Sequence, residues 1–260
     1  MSAVDVSDPF ESPFLLLERA RENREELNNR ARKFFDDNPC VQNVERDSDT
    51  GNYLRKAKLS AAFPSAFSAI AADAFNNLRS ALDQGVSASV RALRPGASLD
   101  GVGFVFGTSP THFEKAVARA PNVVDPRVYD VMRFFQPYDG GNRRLWTLNQ
   151  IVRANKHRRL VGLGASVDSV DVSTLELPGP GPILKPYWDG AKNELIISRT
   201  PEDHEPRYDL NVAFFVAFGE VEGLMGSPVV PQIDYLLALV GAFLTGLASD
   251  VGRWSLEGKA

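Results

Sequence analysis

"RLWTLNQIVRANKHRRLVGLGASVDSVDVSTLELP", residues 144–178, changes its hydrophobic period half-way along. Up to Gly162 or Gly164 it reads as a helix, and from Ala165 apolar and polar residues alternate as they do in strands. Further on, "ILKPYWDGAKNELIISRT" (183–200) and "RYDLNVAFFVAFGEV" (207–221) also read as strands, with Asp189-Gly190 as a hairpin turn signal. "PGPGP" (178–182) reads as a stiff loop connecting the subregions. Upstream, residues 12–37 carry Leu16, Ala20, Leu27, Ala31 and Phe34 on one stripe, with Ser12 and Pro13 as the start signal and "DDNP" as the stop. Residues 40–60 are two β-leaning runs around the turn-rich "DSDTGN". Residues 65–93 form a second helix with Phe67, Ile70, Ala71, Ala74, Leu78, Ala81, Leu82 and Val86 along one side. Loops and short helices fill the stretch from Pro95 to Gly141, and a helix from Ile233 to Ala248 closes the chain.

Helices gathered first and strands gathered late predict an α+β fold. Its parts are three long helices (N-terminal, LRSALD and KHR), a C-terminal antiparallel sheet region and a final buried helix. A single domain over 1–260 is expected, with a helical subregion at about 10–163, a β-rich subregion at about 165–222 and the closing helix at about 232–249.

The chain has 260 residues, a net charge of -4 and 43 % hydrophobic residues, ordinary for a protein with a buried core. Nothing global favours a nucleic-acid or anionic-membrane partner. One cysteine, Cys40, excludes an intrachain disulfide and any multi-cysteine metal motif. The N-terminus lacks the pattern of a signal peptide, and the apolar run Tyr235 to Ala248, about 14 residues, is short of the ~20 that cross a bilayer. A cytoplasmic protein without membrane contact is therefore expected.

The chemistry is sought on two helical flanks. At 100° per residue Asn76, Arg79 and Asp83 fall within about 60° of one another, and Asn149, Arg153, Lys156 and His157 within about 100°, on the side of Leu145 and Leu160. An inward cation needs a partner, and Asp83 is the expected one if the helices meet. No acid occurs between Gly140 and Val167, whereas Arg143, Arg144, Arg153, Lys156, Arg158 and Arg159 do, a local positive surface suited to a phosphate. His157 would serve as general acid or base, with Arg153 and Arg79 stabilising developing negative charge as catalytic partners. Lys156 would join them on the substrate, with Asn76, Asp83 and Asn149 orienting it. No metal and no cofactor are expected, because the three histidines show no ligand spacing. "GVGFVFG" (101–107) lacks the lysine of a phosphate loop and reads as a strand or loop with tight turns, and Trp146, Phe134, Phe135, Tyr138 and Phe214 read as core aromatics.

The blocks "NNLRSALDQ" (76–84) and "LWTLNQIVRANKHRRL" (145–160) resemble those of a family of uncharacterised bacterial proteins, similar over most of the chain in the order of helix, hairpin, LRSALD helix, KHR helix and strands. The polar helical pair also resembles the HEPN superfamily, which implies metal-independent attack on RNA by an arginine and a histidine, often across a dimer. Here Arg153 and His157 stand closer together than in that motif, and the β region is longer. Two functions follow as expectations. One is an anion- or RNA-phosphate-handling domain with nuclease-like chemistry, its partners RNA or nucleotide phosphate and its assembly a homodimer. The other is a non-catalytic interaction or assembly module, in which the same residues form a structural polar network.

Overall fold

The structure is a computed structural model that describes residues 8–37, 40–157, 162–172, 187–189, 192, 194–200, 210–219, 221 and 224–257. The order is α1 (Glu11–Asp37), β1 (Cys40–Arg46), β2 (Tyr53–Leu59), α2 (Ala66–Leu93), α3 (Pro110–Arg119), α4 (Pro126–Phe135), α5 (Arg143–His157), β3 (Leu163–Val172), β4 (Tyr187–Asp189), β5 (Glu194–Thr200), β6 (Leu210–Phe218) and α6 (Val229–Glu257). The class is α+β, as the change of period predicts.

The contacts divide the chain in an interleaved way. One unit holds Met1–Glu25, Ile70–Arg159 and Pro231–Ala260, and the other Glu26–Ala69 and Leu160–Val230. Consecutive helical and β-rich subregions therefore do not describe it, because the hairpin β1–β2 belongs with the late strands. A two-stranded hairpin is marginal alone, and β2 gains a third strand by pairing antiparallel with β5, giving the order β1-β2-β5-β4. A second antiparallel sheet pairs β3 with β6. The unit's interior holds Leu27, Ala57, Leu59, Leu195, Ile197 and Val216. An edge-to-face set of Phe34, Phe63 and Phe67 adds aromatic packing at centroid distances of 5.3–6.0 Å.

In the other unit α1 begins one residue before Ser12, with Asp8 accepting from the Phe10 N–H at 2.9 Å. Its buried stripe runs through Leu17, Ala20 and Asn23, so Leu17 takes the place expected for Leu16. Asn23 accepts from Asn77 of α2 at 3.1 Å, and Arg24 forms two hydrogen bonds of 2.7 Å to Asp234 of α6. All eight residues of the predicted α2 stripe are buried, and so are Ala72, Phe75 and Ser89, so α2 is covered on more than one side. α3 and α4 both start on a cap followed by proline: Ser109 accepts from the His112 N–H and Asp125 from the Arg127 N–H.

The closing helix is longer than expected. α6 has 29 residues with an 18-residue window of mean hydropathy 1.6, so by length and composition alone it could cross a membrane, and the length argument against this lapses. Here one face enters the core through Ile233, Leu236, Val240, Phe243, Leu247 and Val251.

The sheet unit buries a charge. The Lys56 side chain is 6 % exposed, donates to Glu45 and lies 3.4 Å from Glu194. Glu45 is held below the usual carboxylate range, first by that hydrogen bond and then by the Lys56 charge, and Lys56 is raised by the same bond against the cost of burial. A depressed carboxylate stabilises the fold at neutral pH, and this contribution is lost as pH falls through its folded value. The raised lysine loses its contribution only above its ordinary range. Lys56→Met should cost about 3 kcal/mol, at the low end for a broken buried pair because Lys58 stands 3.9 Å from Glu194 as a second cation. It should also flatten the acid limb of a stability-versus-pH series measured by urea unfolding. A variant with wild-type stability at both pH 7 and pH 4 would show that the pair contributes nothing net.

Candidate functional site

The α2 flank is engaged locally. Arg79 and Asp83 are one turn apart and form an ion pair, and together they hold the backbone of one residue in the 101–107 segment. Asp83 Oδ1 accepts from the Phe104 N–H at 2.8 Å, and Arg79 Nη2 donates to the Phe104 carbonyl at 3.3 Å. The Arg79 guanidinium also lies over the Phe106 ring, 4.7 Å from its centroid. Gly103 permits the close approach, since a Cβ there would stand 2.8 Å from Asp83 Oδ1. Beneath the clamp the Phe104 ring is buried against Phe243 at 5.0 Å. "GVGFVFG" is thus a loop docked on α2, of the kind its glycines predict. Asn76 keeps a buried side-chain oxygen without a hydrogen-bond partner.

The α5 flank is placed differently from expectation. Leu145, Leu148, Ile151 and Val152 are buried, whereas Asn149 is half-buried and Arg153 is exposed. Leu145 marks one edge of the buried arc, whose centre lies near Leu148. Positions about 40° and 80° past Leu145 on the far side turn outward. Arg153 therefore does not face inward. Among the described residues no hydrogen bond or ion pair joins Asn76, Arg79 or Asp83 to Asn149 or Arg153. The side chains of Lys156, His157 and Phe214 lie outside the described residues, as do Arg158 and Arg159.

A cavity of about 440 Å³ opens at the other end of α5. Arg143 and Arg144 line it, with Asn142, Gln136, Phe134 and Tyr235 around them. Asn142 caps α5 by accepting from the Leu145 N–H at 3.0 Å and donates to the Tyr235 hydroxyl at 3.3 Å. The Arg144 guanidinium carbon lies over the Tyr235 ring, 4.4 Å from its centroid. Among the described residues no acid lines the cavity. Asp234, next to Tyr235, is taken by Arg24, and Asp139 is outside the lining. Phe134, expected in the core, is 83 % exposed at this rim, while its neighbour Phe135 packs on Phe243. Successive helical residues point about 100° apart, so only one of the two rings can turn inward. The run of arginines without an acid was the sequence signal for this place. The surrounding aromatic walls had none. Among the described residues no three His, Cys, Asp or Glu side chains converge to hold a metal ion.

Comparisons with family models, with curated proteins and with solved structures give no match to the chain.

Asp83→Ala should lower the unfolding free energy by about 2 kcal/mol, since it removes a charged acceptor from the Phe104 N–H and leaves Arg79 without its counter-charge. Asp83→Asn, which keeps an acceptor, should lose less. Equal stability of all three proteins in chemical denaturation would show that the clamp does not hold the loop.

Proposed function

We propose that the chain is an anion-binding domain for a phosphate-bearing ligand such as RNA, with the α2 polar residues acting as a structural network rather than as catalysts. One observation carries the reading. Arg143, Arg144 and Arg153 all reach solvent along α5 and have no acidic partner among the described residues, in a chain of net charge -4. Other arginines of the same unit, such as Arg24, Arg127 and Arg133, are paired with carboxylates. Unpaired cations along one helix raise the local potential and draw phosphate groups, an effect that salt screens. The commitment of Arg79 to Phe104 and Asp83 supports the structural role of the α2 residues and leaves Arg79 poorly placed to share a phosphate with Arg153.

Fluorescence anisotropy of a short single-stranded RNA tests this at two salt concentrations. Neutralising three phosphates predicts a log-log salt slope of about -2. The triple variant R143A/R144A/R153A should abolish measurable binding while melting as wild type does. Equal binding by wild type and the triple variant, or no binding at low salt, rejects the reading. A His157→Ala variant run alongside separates binding from chemistry: RNA cleavage by wild type that this variant loses would restore a catalytic role there.

A further inference from the structure

The cavity at the head of α5 combines features that a general positive surface does not need. Phe134 presents an aromatic ring at its rim, 83 % exposed, although an apolar side chain of this size gains by burial. Phe135 packs against it in a T-shaped pair at 5.6 Å, and both rings line the cavity. Arg144 lies over the Tyr235 ring, while Arg143 stands beside it without an ion-pair partner among the described residues. A cation and an exposed aromatic ring therefore border one space of about 440 Å³, within the size range of small-ligand sites.

The wall between them is built in advance. Gln136 is the non-glycine residue with a left-handed backbone among those described, at φ 49°. Its carbonyl accepts from both the Tyr138 and Asn142 N–H groups, at 2.8 and 2.9 Å. The loop closes so tightly on that carbonyl that a Cβ at Gly141 would stand 2.6 Å from it. Gln136 is the residue that ends α4, and a left-handed residue is a common helix stop. A rigid wall reduces the ordering that binding would otherwise require.

We propose that this cavity binds a single nucleotide unit, an aromatic base with its attached phosphate, the base stacking on Phe134 and the phosphate meeting Arg143. The proposal rests on the anion-binding reading and adds the identity of the ligand and the place where it sits. The shared chemistry has two sources, a free nucleoside monophosphate and the phosphorylated end of a single strand.

Isothermal titration with adenosine monophosphate, adenosine, inorganic phosphate, and a short RNA with and without a 5′-phosphate tests it. The monophosphate is expected to bind at least about tenfold more tightly than adenosine or phosphate alone, because only it uses both contacts. Phe134→Ala, at an exposed position that the fold does not need, should weaken it about tenfold through lost stacking. Arg143→Ala should weaken it while leaving adenosine unchanged. Tighter binding of the RNA with the 5′-phosphate than of the same RNA without it identifies a strand end, and equal binding of the two RNAs beside tight binding of the monophosphate identifies a free nucleotide. The proposal is overturned if Phe134→Ala binds the monophosphate as wild type does, or if inorganic phosphate binds equally well. In either case salt-dependent RNA binding that the triple arginine variant loses leaves the anion-binding reading standing. No binding of any probe to wild type removes both.

Discussion

The clamp of Arg79 and Asp83 on Phe104 is the interaction on which the helical unit's organisation turns. Phe104 must put its ring into the core, and this draws its peptide groups away from water, where an unpaired N–H or C=O is costly. A neighbouring strand would satisfy both groups, but the 101–107 segment docks on a helix, whose own backbone is already bonded. Side chains must substitute, and one acceptor and one donor are needed at a separation of one residue's N–H and C=O. An aspartate and an arginine one helical turn apart meet that need, and each also neutralises the other.

The consequence extends beyond the loop. Phe104 touches Phe243, Phe243 touches Phe135, and Phe135 touches Phe134, at centroid distances of 5.0, 5.6 and 5.6 Å. The same segment ends at Gly107, whose N–H donates to the Pro137 carbonyl at 3.0 Å, at the start of the loop that walls the cavity. Anchoring Phe104 thus positions the aromatic rim and the Gln136–Asn142 turn together. The LRSALD block contributes to the cavity at the head of α5 through packing and backbone contacts, without any of its own side chains lining that cavity.

What could be read from the sequence follows from the range of the interactions involved. Helical periodicity is local and repeats many times, so every residue of the expected α2 stripe is buried. The α5 face differs from expectation because Leu145, one of the two leucines that define the expected side, only bounds the buried arc, which continues through Val152, Leu148 and Ile151 away from Asn149 and Arg153. Phe134 and Phe135 are equally apolar, and composition could not say which of two adjacent rings turns outward. The hairpin's third strand was illegible for a different reason: β2 pairs with a segment more than a hundred residues away, and nothing local to either run names its partner. The end of α6 was cut short where polar residues begin, although Val251 and Trp254 carry the buried stripe onward at helical spacing.

Charge separates structural from functional polar residues more clearly than position does. Lys56 is nearly inaccessible and is matched by two carboxylates, an arrangement that makes its burial tolerable. Arg79 is half-hidden and matched by one carboxylate, a peptide carbonyl and an aromatic face. Arg143 and Arg144 are matched by no carboxylate among the described residues, though Asp234 lies within the same neighbourhood and is spent on Arg24. An acidic chain with more carboxylates than cations had acids enough to neutralise these two. Arg144 has the Tyr235 ring as its match, but two neighbouring cations without a carboxylate and an unburied phenylalanine still oppose folding. The stabilisation missing at that spot is what a ligand carrying negative charge and an aromatic ring would supply.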